Sequence, residues 1–161
     1  MTTYSFKNDY AEGAHPQILN ALMQSNMEQH DGYGEDPYSK EAKCILRREM
    51  ENDKAAIFLV SGGTQSNLLV IAHLLRPHEA VISAETGHIY ANETGAIEAT
   101  GHRIIPVASS DGMLTVDAIA AVLANFQLRP HVVKPRLVYI SNATEIGSHY
   151  DKDALETLYA Y

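Results

Sequence analysis

Residues 56–75 read AIFLVSGGTQSNLLVIAHLL. An apolar run breaks on Gly62 and Gly63, passes through small polar residues, and resumes as a second apolar run. A strand that runs through two glycines into a helix near Thr64 leaves free backbone N–H groups at the helix start. Those groups and the helix dipole favour an anion. Glycine lets a ligand approach the backbone closely, and Thr64 and Ser66 add hydroxyl donors. The anion then sits at the carboxyl end of the strand, where open α/β sheets bind their ligands. The alternative is a plain strand-to-helix turn capped by Thr64. Neither G-x-x-x-x-G-K-[ST] nor G-x-G-x-x-G occurs, so the break is not a P-loop and carries no dinucleotide fingerprint.

Other residues with chemical capacity are scattered. His88 follows an apolar segment and reads either as a loop histidine or as a proton carrier. Asp31, Glu35 and Asp36 crowd one glycine-rich turn. A solvated acidic turn with a helix cap explains them better than a metal site. His73 and His78 are separated by Pro77, cannot share a helix face, and give no metal-ligand spacing. Cys44 is the single cysteine. It excludes an intrachain disulfide, suits a reducing cytosol and is expected as a buried helical thiol.

The elements that position these residues are legible from periodicity and punctuation. NDYAEGAHP is a loop, and Pro16 opens a helix with Ile18, Leu19, Leu22 and Met23 on one face. HDGYGEDP is a second loop, from which Asp36 caps a helix with Pro37 in its first turn. That helix carries Ala42, Ile45, Leu46 and Glu49 at helical spacing. AAIFLV, residues 55–60, is apolar throughout, the pattern of a strand buried on both faces. The helix from Thr64 bears Leu68, Ile71, Ala72 and Leu75 on one stripe, and Leu69 and Val70 make it apolar nearly all round. A helix of that kind is expected to be buried. AVIS, RIIPV and RLVYIS read as further strands. IYANETGAIEA reads as helical. Thr115 caps a helix with Ile119, Val122, Leu123 and Phe126 on one face. Asp151 caps a last helix with Leu155, Leu158 and Tyr159 on its apolar face. Strands alternating with helices predict an α/β fold with a mostly parallel sheet. The last helix stops at Tyr161 with no glycine, cap or proline after it, so the chain reads as cut.

The totals set the frame. The chain has 161 residues, 45% hydrophobic and 20% charged, which is a globular composition. Its net charge is −8, and no Lys/Arg cluster occurs, which argues against a nucleic-acid or anionic-membrane surface. The N-terminus has no signal-peptide h-region, and no apolar run reaches membrane-span length. No repeat and no Ser/Gly/Pro linker is visible, so one folding unit is expected.

Several stretches, taken in order, resemble one family. NDYAEGAHP, GYGEDP, FLVSGGTQSNLLVIAHL, TGHIYANETGAIEATGH and YISNATEIG are similar to segments of the low-specificity L-threonine aldolases. These are pyridoxal-phosphate (PLP) enzymes of the aspartate-aminotransferase fold in the β-eliminating lyase superfamily. The resemblance implies a three-layer α/β/α domain with a mostly parallel sheet. It implies retro-aldol cleavage of L-threonine or L-allo-threonine to glycine and acetaldehyde, in a homodimer or homotetramer; the single cysteine points to the cytoplasm, and the residue spacings point to no metal. PLP acts there as the electron sink.

Carried over by position, Gly62, Gly63, Thr64 and Gln65 match the phosphate turn. His88 matches a histidine that stacks on the cofactor ring near the substrate hydroxyl. Tyr33 matches an active-site loop near the dimer interface. Asn8 stands, before Asp9, where the family often has a serine that holds the substrate carboxylate. Thr144 stands where it commonly has a histidine near the substrate side chain. These two departures leave room for another β-eliminating lyase or an aminotransferase relative. The family's Schiff-base lysine, its acid for the pyridinium nitrogen and its carboxylate-binding arginine have no match here. Lys7, Lys40, Lys43, Lys54, Lys134 and Lys152 all fall elsewhere. The resemblance therefore implies the N-terminal segment and first half of the large domain of such an enzyme. It implies that these residues alone are inactive. A non-catalytic shortened homologue is the remaining reading, and a Rossmann nucleotide binder has only the α/β pattern behind it.

Overall fold

The computed structural model describes residues 4, 5, 8, 10–126 and 131–161. Lys7 and Asp9 lie outside them. Instead of one folding unit, the chain divides into two compact units, Met1–Leu59 and Val60–Tyr161. Composition gives no warning of this, because the boundary falls inside the apolar run AAIFLV and not in a linker.

The first unit is helical. Helix α1 spans Pro16–Ser25 and α2 spans Pro37–Glu49. Both begin with proline, whose fixed φ and missing N–H suit a first helical position. Asp36 caps α2: its Oδ1 accepts from the Ser39 N–H at 2.8 Å and its Oδ2 from the Ser39 hydroxyl at 2.6 Å. The Ser39 hydroxyl first, and then its N–H, hold the Asp36 carboxyl below the ordinary carboxylate range. Neither helix contains a buried residue. Leu22 and Met23 are exposed, as is Cys44, against the expectation of a buried thiol. The thiol sits on a helix that contains no buried residue.

The run 55–60 forms no strand. A strand exists only where a neighbour takes its N–H and C=O groups, and apolarity alone cannot supply that ladder. Phe58 is 82% exposed.

The second unit is a three-layer α/β/α sandwich. Its strands are β1 (Glu79–Ala84), β2 (Arg103–Val107) and β3 (Lys134–Val138), all parallel, in the order β2-β1-β3. Val81 pairs with Ile104 on one side and Leu137 on the other. Every residue of β1 is buried, as a central parallel strand requires. Pro106 and Pro135 sit in β2 and β3, the two edge strands, where a missing N–H is tolerated. The RLVYIS strand begins two residues earlier than its periodicity suggests and stops at Val138, the partner of Ile82.

The two faces of β1 serve two cores. Val81 packs with Ile71 of α3 (Gly63–Leu74) and with Leu75 at its C-cap, with Ile89 of α4 (His88–Ala91) and with Ile97. Ala80, Ile82 and Ala84 pack with Leu114, with Ile119 of α5 (Val116–Phe126) and with Leu158 of α6 (Lys152–Ala160). Thr115 and Asp151 cap these last two helices, accepting from the N–H groups of Ala118 and Ala154. Helix α3 is not buried all round: Leu69 and Val70 are about half exposed, and only the stripe through Leu68, Ile71 and Leu75 meets the core. Its second apolar face is uncovered by the described residues of the sheet, which lie on one side only.

The segment IYANETGAIEA is not one helix. Helix α4 ends at Ala91, Thr94 (φ 50°) and Gly95 (φ 79°) enter the left-handed region, and a 3-10 turn follows at Glu98–Thr100. A β-branched residue at positive φ is a strained choice that propensity does not anticipate.

Candidate functional site

Helix α3 begins at Gly63 with Gly62 as its N-cap, and no side chain caps it. The N–H groups of Gly63, Thr64 and Gln65 thus have no acceptor inside the helix. The first intrahelical bond runs from the Ser66 N–H to the Gly62 carbonyl at 3.2 Å. The Gln65 side chain folds back, its Oε1 accepting from the Ser61 N–H and hydroxyl, both at 2.8 Å. This leaves Gln65 its backbone N–H for a ligand. A Cβ placed on Gly62 or Gly63 would meet nothing within 4 Å. Open space, free donors and the positive end of a helix dipole suit a phosphate-sized anion.

His88 opens α4, directly after Gly87. A Cβ on Gly87 would collide with the Ser83 hydroxyl and lie 3.0 Å from the Ala84 carbonyl oxygen. Only glycine lets the chain leave β1 so closely and start α4 at that point. The His88 side chain is 45% exposed, and its Nδ1 lies 2.9 Å from Glu93 Oε1. The Glu93 side chain is fully buried. The same oxygen accepts from Asn67 Nδ2 at 2.6 Å. Asn67 lies one turn inside α3, so a single carboxylate ties His88 to the helix that presents the anion turn. Glu93 Oε2 is buried with no hydrogen-bond partner among the described residues. An unsatisfied buried polar atom costs about 1–3 kcal/mol, and such atoms gather where function constrains the fold. Tyr139 belongs to the same surroundings. Burial chiefly pushes its phenol up, the Ser141 hydroxyl opposes the shift, and Glu145 and Glu93 add to it.

Glu93 and Asn67 escaped the reading of single residues. Both stand inside stretches that carry the family resemblance, but 26 residues separate them and no local spacing links them.

Thr144 is buried in the second unit. Its hydroxyl shares a 2.7 Å hydrogen bond with the Ser148 hydroxyl and lies 3.4 Å from the Asp111 carbonyl. Ser148 also donates to that carbonyl. Asn8 and Tyr33 belong to the first unit. Asn8 Oδ1 accepts from the Tyr10 N–H at 3.2 Å, which leaves its amide N–H₂ as a donor. Tyr33 is fully exposed, at φ 62°. Among the described residues, no group of three or more His, Cys, Asp or Glu is placed to hold a metal ion. No helix among them is long and apolar enough to cross a membrane.

Known proteins are similar to this chain in sequence and fold. The beta-eliminating lyase family matches residues 8–161. The low-specificity L-threonine aldolase of a Pseudomonas species is 32% identical over 157 residues, covering 96% of this chain and 45% of the relative. That of Pseudomonas aeruginosa is 31% identical over 160 residues, covering 98% and 46%. The solved threonine aldolase of Leishmania major superposes with a TM-score of 0.92 at 46% identity, over 98% of this chain and 46% of that one. The chain spans about half the length of the curated relatives it matches. With the match running from residue 8 to residue 161, this chain belongs to the beta-eliminating lyase family.

Proposed function

We propose that the chain is the N-terminal part of a PLP-dependent lyase that cleaves L-threonine or L-allo-threonine to glycine and acetaldehyde. The supporting observation is the joined pair of an uncapped, glycine-opened helix start and a half-exposed histidine held by a buried carboxylate. Gly62, Gly63, Thr64 and Gln65 would hold the phosphate through backbone N–H groups and the Thr64 hydroxyl. His88 would lie against the cofactor ring. When bound, PLP supplies the electron sink that makes cleavage beside the α-carbon accessible. His88 would take the proton of the substrate hydroxyl, and general base catalysis of this kind contributes about 10²–10⁴-fold. Asn8 would donate its amide to the substrate carboxylate, and Tyr33 would line the site as part of a homodimer or homotetramer. Thr144 would stand near the substrate side chain. The proposed setting is the cytoplasm.

No lysine here matches the Schiff-base position, so the 161 residues alone are proposed to be inactive. Intact mass before and after borohydride reduction with PLP tests this. A protein larger than 161 residues that gains one reduced PLP supports a complete lyase. A lone 161-residue chain that cleaves threonine overturns the proposed inactivity.

A second reading, another PLP-dependent β-eliminating lyase, is favoured by one observation: the Thr144 hydroxyl is already bonded to Ser148. Products decide between them. Acetaldehyde with glycine marks the aldolase, and ammonia with a keto acid marks the β-eliminator.

A further inference from the structure

We propose that Glu93 is a positioning residue that fixes His88 as its Nδ1–H tautomer, keeping Nε2 a free proton acceptor, and locks the ring to the helix that bears the anion turn. The inference deepens the reading of His88 given above and rests on it.

The geometry carries it in three steps. Glu93 Oε1 receives Asn67 Nδ2 at 2.6 Å and faces His88 Nδ1 at 2.9 Å. The Asn67 amide nitrogen can only donate, so Oε1 already acts as an acceptor, and the imidazole completes the pair by donating from Nδ1. The two ring nitrogens point away from each other. With Nδ1 turned to a fully buried side chain, Nε2 turns away from it on a ring that is 45% exposed. His88 Nε2 makes no hydrogen bond among the described residues.

The backbone is built around this contact. In a continuous helix, residues five apart point roughly 140° away from each other, so His88 and Glu93 could not meet. The chain breaks its helix at Ala91 and places Thr94 at φ 50° directly after Glu93. A β-branched residue in that region is strain of the kind retained at functional sites. Asn67 makes the connection rigid from the other side. It lies on α3, whose Ile71 is packed into the core with the C-cap residue Leu75 and with Ile89 of α4. One carboxylate thereby sets the orientation of the histidine relative to the helix that offers the phosphate donors.

The tautomer can be read on the chain without cofactor, so its outcome is independent of whether the complete protein binds PLP and cleaves threonine. Long-range proton–nitrogen correlation spectra of the ¹⁵N-histidine-labelled 161-residue chain, at about pH 8.5, well above the ordinary imidazole pKa of about 6.5, report which nitrogen carries the proton. A His88→Asn variant assigns the signal among the eight histidines. The expected result is a His88 pattern with Nδ1 protonated and Nε2 bare. Glu93→Gln, whose carbonyl still accepts, keeps that pattern. Glu93→Met, with no acceptor, shifts His88 to predominantly Nε2–H. A wild-type His88 that is Nε2–H, as a protonated Glu93 donating to Nδ1 would make it, overturns the proposal. So does a folded Glu93→Met that keeps Nδ1–H. If Glu93→Met does not fold, the wild-type spectrum decides alone.

Discussion

Gly87 shows how tightly single residues are held around the candidate site. Its hydrogen faces the Ser83 hydroxyl and the Ala84 carbonyl, so Gly87→Ala must push α4 off the strand or distort β1. Overpacking of this kind costs about 1–3 kcal/mol. Urea unfolding should show that loss, and the His88 imidazole signals should move with it. At the anion turn, Thr64→Ala removes one hydroxyl donor. A hydrogen bond to a charged group contributes about 1.5–3 kcal/mol, so binding of pyridoxal phosphate should weaken about tenfold or more. Binding of pyridoxal, which lacks the phosphate, should not change. Equal weakening of both ligands would remove Thr64 from the phosphate site. Fluorescence titration with each ligand makes the comparison.

At the scale of elements, caps and prolines were read well, and pairing was not. Asp36, Thr115 and Asp151 all cap the helices they were expected to cap, because a short polar side chain before a helix has one local task. The Asp36 carboxyl titrates below its ordinary range, so its contribution to stability has a definite sign. It is present above the unfolded carboxylate value of about 3.9 and is lost as pH falls through the lower folded value. Asp36→Asn keeps the cap without the titration. Its helical circular dichroism at neutral pH should match the wild type, and its loss of signal below about pH 4 should be shallower. The strand expected at 55–60 failed for the opposite reason. Six apolar residues satisfy the pattern, but a ladder needs a neighbour that local sequence does not name. Pro106 and Pro135 fall in β2 and β3, the outer strands of the three described, and proline-free β1 lies between them.

For the whole molecule, the two units differ in what holds them together. Among the described residues, every buried hydrophobic one lies between Ile71 and Tyr150, inside the second unit. Helices α1 and α2, of 10 and 13 residues, bury nothing, and isolated helices shorter than about 12–15 residues are marginal in water. A fragment of residues 60–161 should therefore unfold cooperatively at nearly the temperature of the full chain. A fragment of residues 1–59 should show little helix by circular dichroism. Non-cooperative melting of the 60–161 fragment would show that the three-layer sandwich needs the first unit.

The sequence by itself determined the α/β class, the helix caps, the strands AVIS and RIIPV, the glycine-opened helix and the family, because each rests on local chemistry or on ordered motifs. Only the tertiary structure decided that the chain forms two units, that Cys44 and one side of α3 are exposed, and that 55–60 pairs with nothing among the described residues. It alone brought Asn67, His88 and Glu93 together. Burial and pairing are properties of neighbours distant in the chain, and a break in the helix at Thr94 and Gly95 is what turns a buried carboxylate toward a histidine five residues before it.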